Sequence, residues 1–156
     1  MGYDLYGLNP YNPNNAVKPK ALDWEVKHTE KEKKKYFDAL DKYEAEVVGS
    51  YFRNNVWFWR PLWHFVCMNC SDILSEKNMI GGSWNDGHKI SKTKATRIGK
   101  RLKKLLRDGT AKDYEKLNNA EFDSDGNKQE VDYPFYTDNL EEFAEFCINS
   151  GGFEIY

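Results

Sequence analysis

Hydrophobic and polar positions alternate over residues 2–8 (GYDLYGL), with Tyr3 and Leu5 on one side and Asp4 and Tyr6 on the other, and alternate again in the closing GGFEIY. A period of two predicts a short strand at each end of the chain, because successive strand side chains point to opposite faces. Between these ends the period is helical. Thr29-x-x-Glu32 fits a capping box, and the helix it opens is predicted to reach about Val47 with Tyr36, Phe37, Leu40, Tyr43 and Val47 as its apolar stripe. Gly49 and Ser50 end it. Ser91 caps a helix to Asp108 with Ala95, Ile98, Leu102, Leu105 and Leu106 on one face and Gly109 as terminator. Thr110 is the expected cap of a further short helix through Tyr114 and Leu117. Asp138-x-x-Glu141 predicts another capping box and a last helix carrying Leu140, Phe143, Ala144 and Cys147. Residues 9–20, with three prolines and four asparagines, and the polar residues 123–134 are predicted loops.

The densest segment, Tyr51 to Cys70 (YFRNNVWFWRPLWHFVCMNC), admits two readings. Apolar residues from Val56 to Cys67 fall on every face, which predicts burial on most sides. Either a helix begins near Asn54 or Asn55 with Pro61 close to its start, or a strand runs to Trp59 and a helix follows. Met79 to Ile90 carries Gly81-Gly82 and Asn85-Asp86-Gly87, both turn signals. The pattern as a whole predicts one α+β domain over residues 1–156: a small antiparallel sheet formed by the two termini, with about four to five helices packed on it.

Apolar residues make up 40% of the chain and aromatics 15%, enough to build a core despite the abundant charge. No stretch is long and apolar enough to span a membrane, and no basic-then-apolar signal pattern opens the chain. With only three cysteines the expectation is a soluble, cytoplasmic protein with reduced thiols and no membrane association.

The opening MGYDLYG, the central YFRNNVWFWRPLW, the NDG turn and the closing PFYTDNLEEFAEFCINSGGFEIY together resemble a family of small proteins of phages, marine ones included, and of scattered bacteria. The likeness runs from end to end and is weakest over residues 9–48 and 120–132. It implies a phage-encoded accessory protein acting in the host cytoplasm, and brings no assigned reaction with it.

Candidate chemistry gathers in three places. Arg53 and Arg60 would share a face if their segment is helical, and a guanidinium held among Trp57, Trp59 and Trp63 must be paired. With Asn54 and Asn55 beside them, they offer planar donors for phosphate or carboxylate and indole faces for a ring. The competing reading is a structural ion pair, with Asp4 and Asp86 as candidate partners. In the Trp84-Asn85-Asp86-Gly87-His88 loop the polar side chains either close a tight turn on themselves or line the rim of a pocket. From Lys89 to Arg107 nine Lys or Arg and no acid occur; against a net charge of −2, that leaves −11 for the rest of the chain. Lys94, Arg97, Lys100, Arg101 and Lys104 either bond to acidic neighbours such as Glu141, Glu142 and Glu145 or present a positive surface to phosphates.

His64-x-x-Cys67-x-x-Cys70, with Cys147 as a fourth ligand, spaces like a metal site, but its apolar helical setting favours buried free thiols. Asp123-Ser-Asp-Gly-Asn lacks the glycine and glutamate positions of a calcium loop and reads as a turn. No nucleophile elbow, P-loop, dinucleotide fingerprint or zinc-protease motif occurs, so neither a cofactor nor a metal nor a catalytic site is expected. Two functions follow from these groups. One is a non-enzymatic binder of a small anionic, nucleotide-like ligand at Arg53, Asn54, Asn55, Trp57, Trp59, Arg60, Trp84, Asn85, Asp86 and His88, which in a phage would sequester a host defence signal. The other is an interaction protein whose basic helix 91–107 docks on nucleic acid or an acidic host protein. A homo-oligomer is compatible with both.

Overall fold

The computed structural model describes residues 1–156. The two terminal strands pair as the alternation predicts: β1 (Gly2–Gly7) lies antiparallel to β6 (Phe153–Ile155), with Leu5 opposite Ile155. Two internal strands extend this pair. β2 (Tyr51–Asn55) adds to the outer edge of β1 and β3 (His88–Ile90) to β6, giving the antiparallel order β2-β1-β6-β3. Tyr3, Leu5, Phe52, Ile90, Phe153 and Ile155 point to one face and are buried there. Asp4, Tyr6, Tyr51, Arg53, Lys89 and Glu154 occupy the other face. The fold is α+β.

Six α-helices are present, more than the pattern predicts. The additional one, α3 (Glu76–Gly81), starts at a capping box in which Ser75 Oγ accepts from Asn78 N at 3.2 Å and Asn78 Oδ1 accepts from Ser75 N at 3.2 Å. Its brevity hides it from any periodicity argument. The core is built by α2 (Val56–Asn69), α4 (Lys92–Arg107) and α6 (Thr137–Asn149) against the buried sheet face. Ala95, Ile98 and Leu102 of α4 meet Leu140, Phe143, Ala144 and Cys147 of α6 within this core. The two helices approach so closely that a Cβ on Gly99 would stand 2.5 Å from Ile148 and 2.8 Å from the Ala144 carbonyl.

Tyr51 to Cys70 combines the two readings left open above. Residues Tyr51–Asn55 form a strand, and Asn55 then caps α2, its Oδ1 accepting from Phe58 N at 3.1 Å. Pro61 sits in the second turn and not at the start; its missing N–H leaves the Trp57 carbonyl without its helical donor. Burial on most sides holds: Trp57, Arg60, His64 and Met68 form the one solvated stripe, while Trp59, Leu62, Trp63, Phe65 and Val66 are buried.

α1 (Glu30–Glu46) has the expected capping box, with Glu32 Oε2 accepting from Thr29 N at 2.8 Å. Only the end of its apolar stripe is buried, at the C-cap Val47; no residue of the helix itself is buried and Phe37 is exposed. The turn before it supplies the cover instead: the Trp24 ring lies 6.2 Å from Phe37 and 6.5 Å from Tyr36.

Two caps differ from expectation. Thr110 is the first residue of α5 (Thr110–Asn118) and not its cap, because left-handed Gly109 precedes it and Asp108 Oδ1 takes the Thr110 N–H at 2.9 Å. α6 begins at Thr137, one residue before Asp138, because the Glu115 carboxylate from α5 accepts the Thr137 N–H at 3.3 Å. Residues 9–20 form no regular element. The second predicted loop contains part of a hairpin, β4 (Glu121–Phe122) with β5 (Lys128–Gln129), whose turn Asp123 holds by accepting from Asp125 N and Asn127 N at 2.9 and 2.8 Å.

Candidate functional site

Three aromatic rings stack at the junction of β1, α2 and the segment after α3. Tyr3 lies 5.4 Å from Trp59, and Trp59 lies 5.4 Å from Trp63 in a nearly parallel arrangement. Each polar atom of the stack is bonded inward to the backbone that closes α3. Trp59 Nε1 donates to Gly82 O at 2.8 Å, Trp63 Nε1 to Met79 O at 2.9 Å, and Tyr3 Oη to Ser83 O at 2.8 Å. Gly82 is required here, since a Cβ would stand 2.1 Å from the Trp63 ring. These bonds fix the rings as a nearly fully buried support beneath the cleft, Tyr3 being 2%, Trp59 0% and Trp63 3% exposed.

Above that support opens a concave site of about 770 Å³. Met79, Ile80 and the exposed Trp84 form one wall, with Asn85 beside them. Arg60 and His64, one helical turn apart on α2, form the other. Arg60 has no carboxylate within salt-bridge distance. Tyr133 holds it in place, its Oη accepting from Arg60 Nη1 at 3.2 Å and its ring standing 5.8 Å from the guanidinium. Tyr133 in turn packs on Trp57, with ring centroids 5.1 Å apart. The site therefore combines an apolar aromatic floor, one cation free of acidic partners, and an imidazole.

Of the ten residues expected to bind a ligand, four line this cleft: Trp59, Arg60, Trp84 and Asn85. Arg53 does not, and it is not buried. The turn from strand to helix at Asn55 puts it on the open sheet face, where its side chain is 66% exposed and its Nε lies 3.5 Å from Asp4 Oδ1. Asn54 points the opposite way and is held in a reciprocal amide pair with Asn139, at 2.9 and 2.8 Å. Asn55 is used as the α2 cap, and Trp57 faces Tyr133 outside the cleft. Asp86 and His88 border a shallower depression behind Trp84, together with Lys77.

His88 belongs to a polar chain. Asn78 Nδ2 lies 3.1 Å from His88 Nε2, while Asn78 Oδ1 receives the Lys94 ammonium. The ammonium fixes the amide so that its NH₂ donates to the ring, and the imidazole must then accept at Nε2. Burial, and then the nearby Lys77 charge, lower the His88 pKa below the ordinary histidine value.

The thiols are unlike metal ligands. Cys70 and Cys147 lie in the core, Cys67 is half-buried, and no three His, Cys, Asp or Glu side chains gather closely enough to hold an ion. Burial pushes the Cys67 pKa up to about 11 and that of Cys70 up to about 12.

The basic helix is partly neutralised, by partners the pattern mostly did not identify. Arg101 makes a two-pronged pair with Asp72 at 2.9 Å and also donates to Asn69 O at 2.6 Å, so it ties α4 to the end of α2. Arg97 lies 3.9 Å from the same carboxylate, Lys89 2.8 Å from Glu154, and Lys103 pairs with Glu145. Glu141 and Glu142 take no part in these pairs. Lys100, Lys104 and Arg107 have no acidic partner and remain exposed.

Sequence reasoning missed Tyr3, Gly82 and Tyr133 as parts of the site, and named Trp63 only as a neighbour of the arginines. Only the Gly81-Gly82 pair carried a signal, and it read as a turn. Comparison of this chain with protein-family models, with characterised proteins and with solved structures finds no match, so the resemblance noted above rests on its motifs alone.

Proposed function

We propose that the aromatic cleft binds a small, flat, anionic ligand of the nucleotide-like class and does not transform it. The observation that supports this reading is the pairing of a hydrogen-bonded aromatic floor with Arg60, a guanidinium that no carboxylate neutralises. A volume of about 770 Å³ falls in the usual range for small-molecule sites, and the lining is mainly apolar with a few polar groups on the rim. A ring would lie against the exposed face of Trp84, and its anionic group would meet the planar donors of Arg60 and a ring N–H of His64. Cys67 and His64 both line the cleft, but no hydrogen bond joins them and burial pushes the Cys67 thiol up to about 11, which favours holding over turnover. In a phage-encoded protein, such holding would sequester a host metabolite or defence signal.

The test is a thermal-shift screen against nucleotides, cyclic nucleotides and ADP-ribose derivatives, with calorimetry on any hit. Arg60→Ala should weaken a hit about tenfold to a hundredfold, as expected for loss of a charge-assisted hydrogen bond. No stabilisation by any of these compounds, or an Arg60→Ala protein that binds as tightly as the parent, refutes the reading.

A second reading has its own support in Lys100, Lys104 and Arg107, which form an exposed α4 stripe and make no ion pair. Docking of this stripe on nucleic acid or an acidic host protein predicts salt-sensitive retention that Lys100→Gln with Lys104→Gln reduces.

A further inference from the structure

Helix α1 stands apart from the rest of the fold. None of its own residues is buried, and it packs closely on no other helix or strand. Helices in proteins gain most of their stability by packing an apolar face, yet the cover here is one local turn. That cover is incomplete: Phe37, near the middle of the helix, is 45% exposed, and the Trp24 ring beside it is 59% exposed.

The charges on the two sides of this patch are opposite. Residues 30–35 carry four lysines against two glutamates, and residues 38–46 carry four acids against one lysine. Ion pairs within the helix take up part of this charge, with Lys33 2.8 Å from Glu30 and Lys34 2.6 Å from Asp38. Leaving both pairs out, Lys31 and Lys35 still outnumber Glu32, and Asp41, Glu44 and Glu46 still outnumber Lys42. The acidic end continues across a depression that Asp138, Glu141 and Glu142 of α6 also line. Burial, and then the Asp41 charge, raise the Glu44 pKa, while Lys18 acts more weakly in the other direction. This end of the helix is short of positive charge.

Along α1 the order is thus basic, aromatic, acidic. A second copy turned end over end presents acidic, aromatic, basic, so the surface is complementary to itself under a two-fold axis near Phe37. We propose that α1 pairs antiparallel with α1 of a second copy, closing a two-fold dimer in which Phe37 and Trp24 meet their equivalents and the basic half of each helix lies along the acidic half of the other. Helical spacing puts Lys33 and Lys34 one turn before Phe37 on its face, and Asp41 and Glu44 one and two turns after it. Both lysines of one copy therefore come beside both acids of the other. Their pairs within the helix are exposed and one turn long, a kind that holds weakly and can exchange partners. A nucleic acid or an anionic lipid surface would be repelled by the acidic half, and a uniformly basic partner by the other half. A helix of 17 residues is about 25 Å long, which keeps the contact at the small end of interface sizes and predicts weak association. Neither the cleft nor α4 takes part, so the dimer is independent of the small-ligand reading.

Sedimentation equilibrium of the full chain from about 10 μM to about 1 mM at low salt reads the association directly. A reversible monomer–dimer equilibrium is expected, and Phe37→Ala should raise its Kd at least about tenfold. Lys33→Glu with Lys34→Glu, and separately Asp41→Lys with Glu44→Lys, should each be monomeric, because like charges then face each other. Both sets suit the helix dipole and should leave α1 helical, which far-ultraviolet circular dichroism checks. An equimolar mixture of the two charge variants should associate again, since each supplies the charge the other has lost. Lys116→Glu with Lys128→Glu makes the same change of net charge as the first set, on exposed positions of α5 and β5, and should dimerise like the parent. If Phe37→Ala unsettles the helix, the mixing experiment carries the test alone, because two damaged helices would not restore each other. A chain that stays monomeric across the whole range overturns the proposal. So does a dimer that either charge variant retains, or a mixture of the two that remains monomeric.

Discussion

Replacing Trp59 by Phe tests whether the floor of the cleft is held as described. Trp59 is fully buried, stacked between Tyr3 and Trp63, and edge-on to Phe143 at 5.6 Å. Phenylalanine keeps a ring in that place but removes the Nε1 donor that satisfies Gly82 O at 2.8 Å. The orphaned carbonyl costs about 1–3 kcal/mol, since it is buried and bonded to no other donor. The smaller ring leaves a void of methyl size or more, which adds about 1 kcal/mol. The total is about 2–4 kcal/mol, a large share of the 5–15 kcal/mol that holds a typical domain together. Equilibrium urea unfolding followed by far-ultraviolet circular dichroism measures it, with an unchanged m-value showing that the same surface is exposed. Trp63→Phe should cost less, because Ser83 Oγ also donates to the Met79 carbonyl at 3.2 Å, and the double variant should depart from additivity by about 0.5–1.5 kcal/mol because the rings touch. A Trp59→Phe loss below about 1 kcal/mol would refute the claim that the indole–Gly82 bond fixes the floor. Arg60→Ala provides the contrast: exposed and without a carboxylate partner, it should change stability by less than about 1 kcal/mol while weakening ligand binding about tenfold to a hundredfold.

Two other perturbations examine the polar links. His88 is lowered in the folded chain, so the unfolded chain binds its proton first as pH falls; the contribution of His88 is fully present above its ordinary pKa near 6.5 and is lost as pH drops through the folded value. NMR titration should find it below that ordinary value, and Lys94→Met should raise it by removing a nearby positive charge; a His88 pKa at or above the ordinary value contradicts the Lys94–Asn78–His88 chain. Asn54→Ala deletes a reciprocal amide pair that joins β2 to α6 and should cost about 1–2 kcal/mol in urea unfolding, whereas a neutral result would mean that water replaces the pair without loss.

The parts of this fold that can be read in the chain are those where one face is dry and the other wet. β1 and β6 are legible because Tyr3, Leu5, Phe153 and Ile155 alternate with residues that stay outside, and α4 because Ala95, Ile98 and Leu102 recur at helical spacing. The apolar stripe of α1 is equally regular, but its cover comes from the local segment around Trp24, so regularity alone did not reveal how shallowly it packs. The predicted cap at Asp138 failed because its competitor is remote in sequence: Glu115, on another helix, takes the Thr137 N–H. Tyr133 was invisible for a similar reason, lying in a polar stretch with nothing to mark it as the support of Arg60.

The deepest consequence lies at Asn55, where one period gives way to another. Had a helix run through Arg53 and Arg60, their spacing of seven would have put both on one face and made a single anion site. With Asn55 as cap, Tyr51 and Arg53 follow the two-residue period of β2 and face the open side of the sheet, beside Tyr6. Trp59, Arg60 and Trp63 follow the helical period of α2 and turn toward the segment that closes α3. Aromatic and cationic residues adjacent in sequence are thereby divided between two surfaces. Each keeps rings next to an outward guanidinium, one as a concave cleft sized for a small molecule and the other as a flat strip.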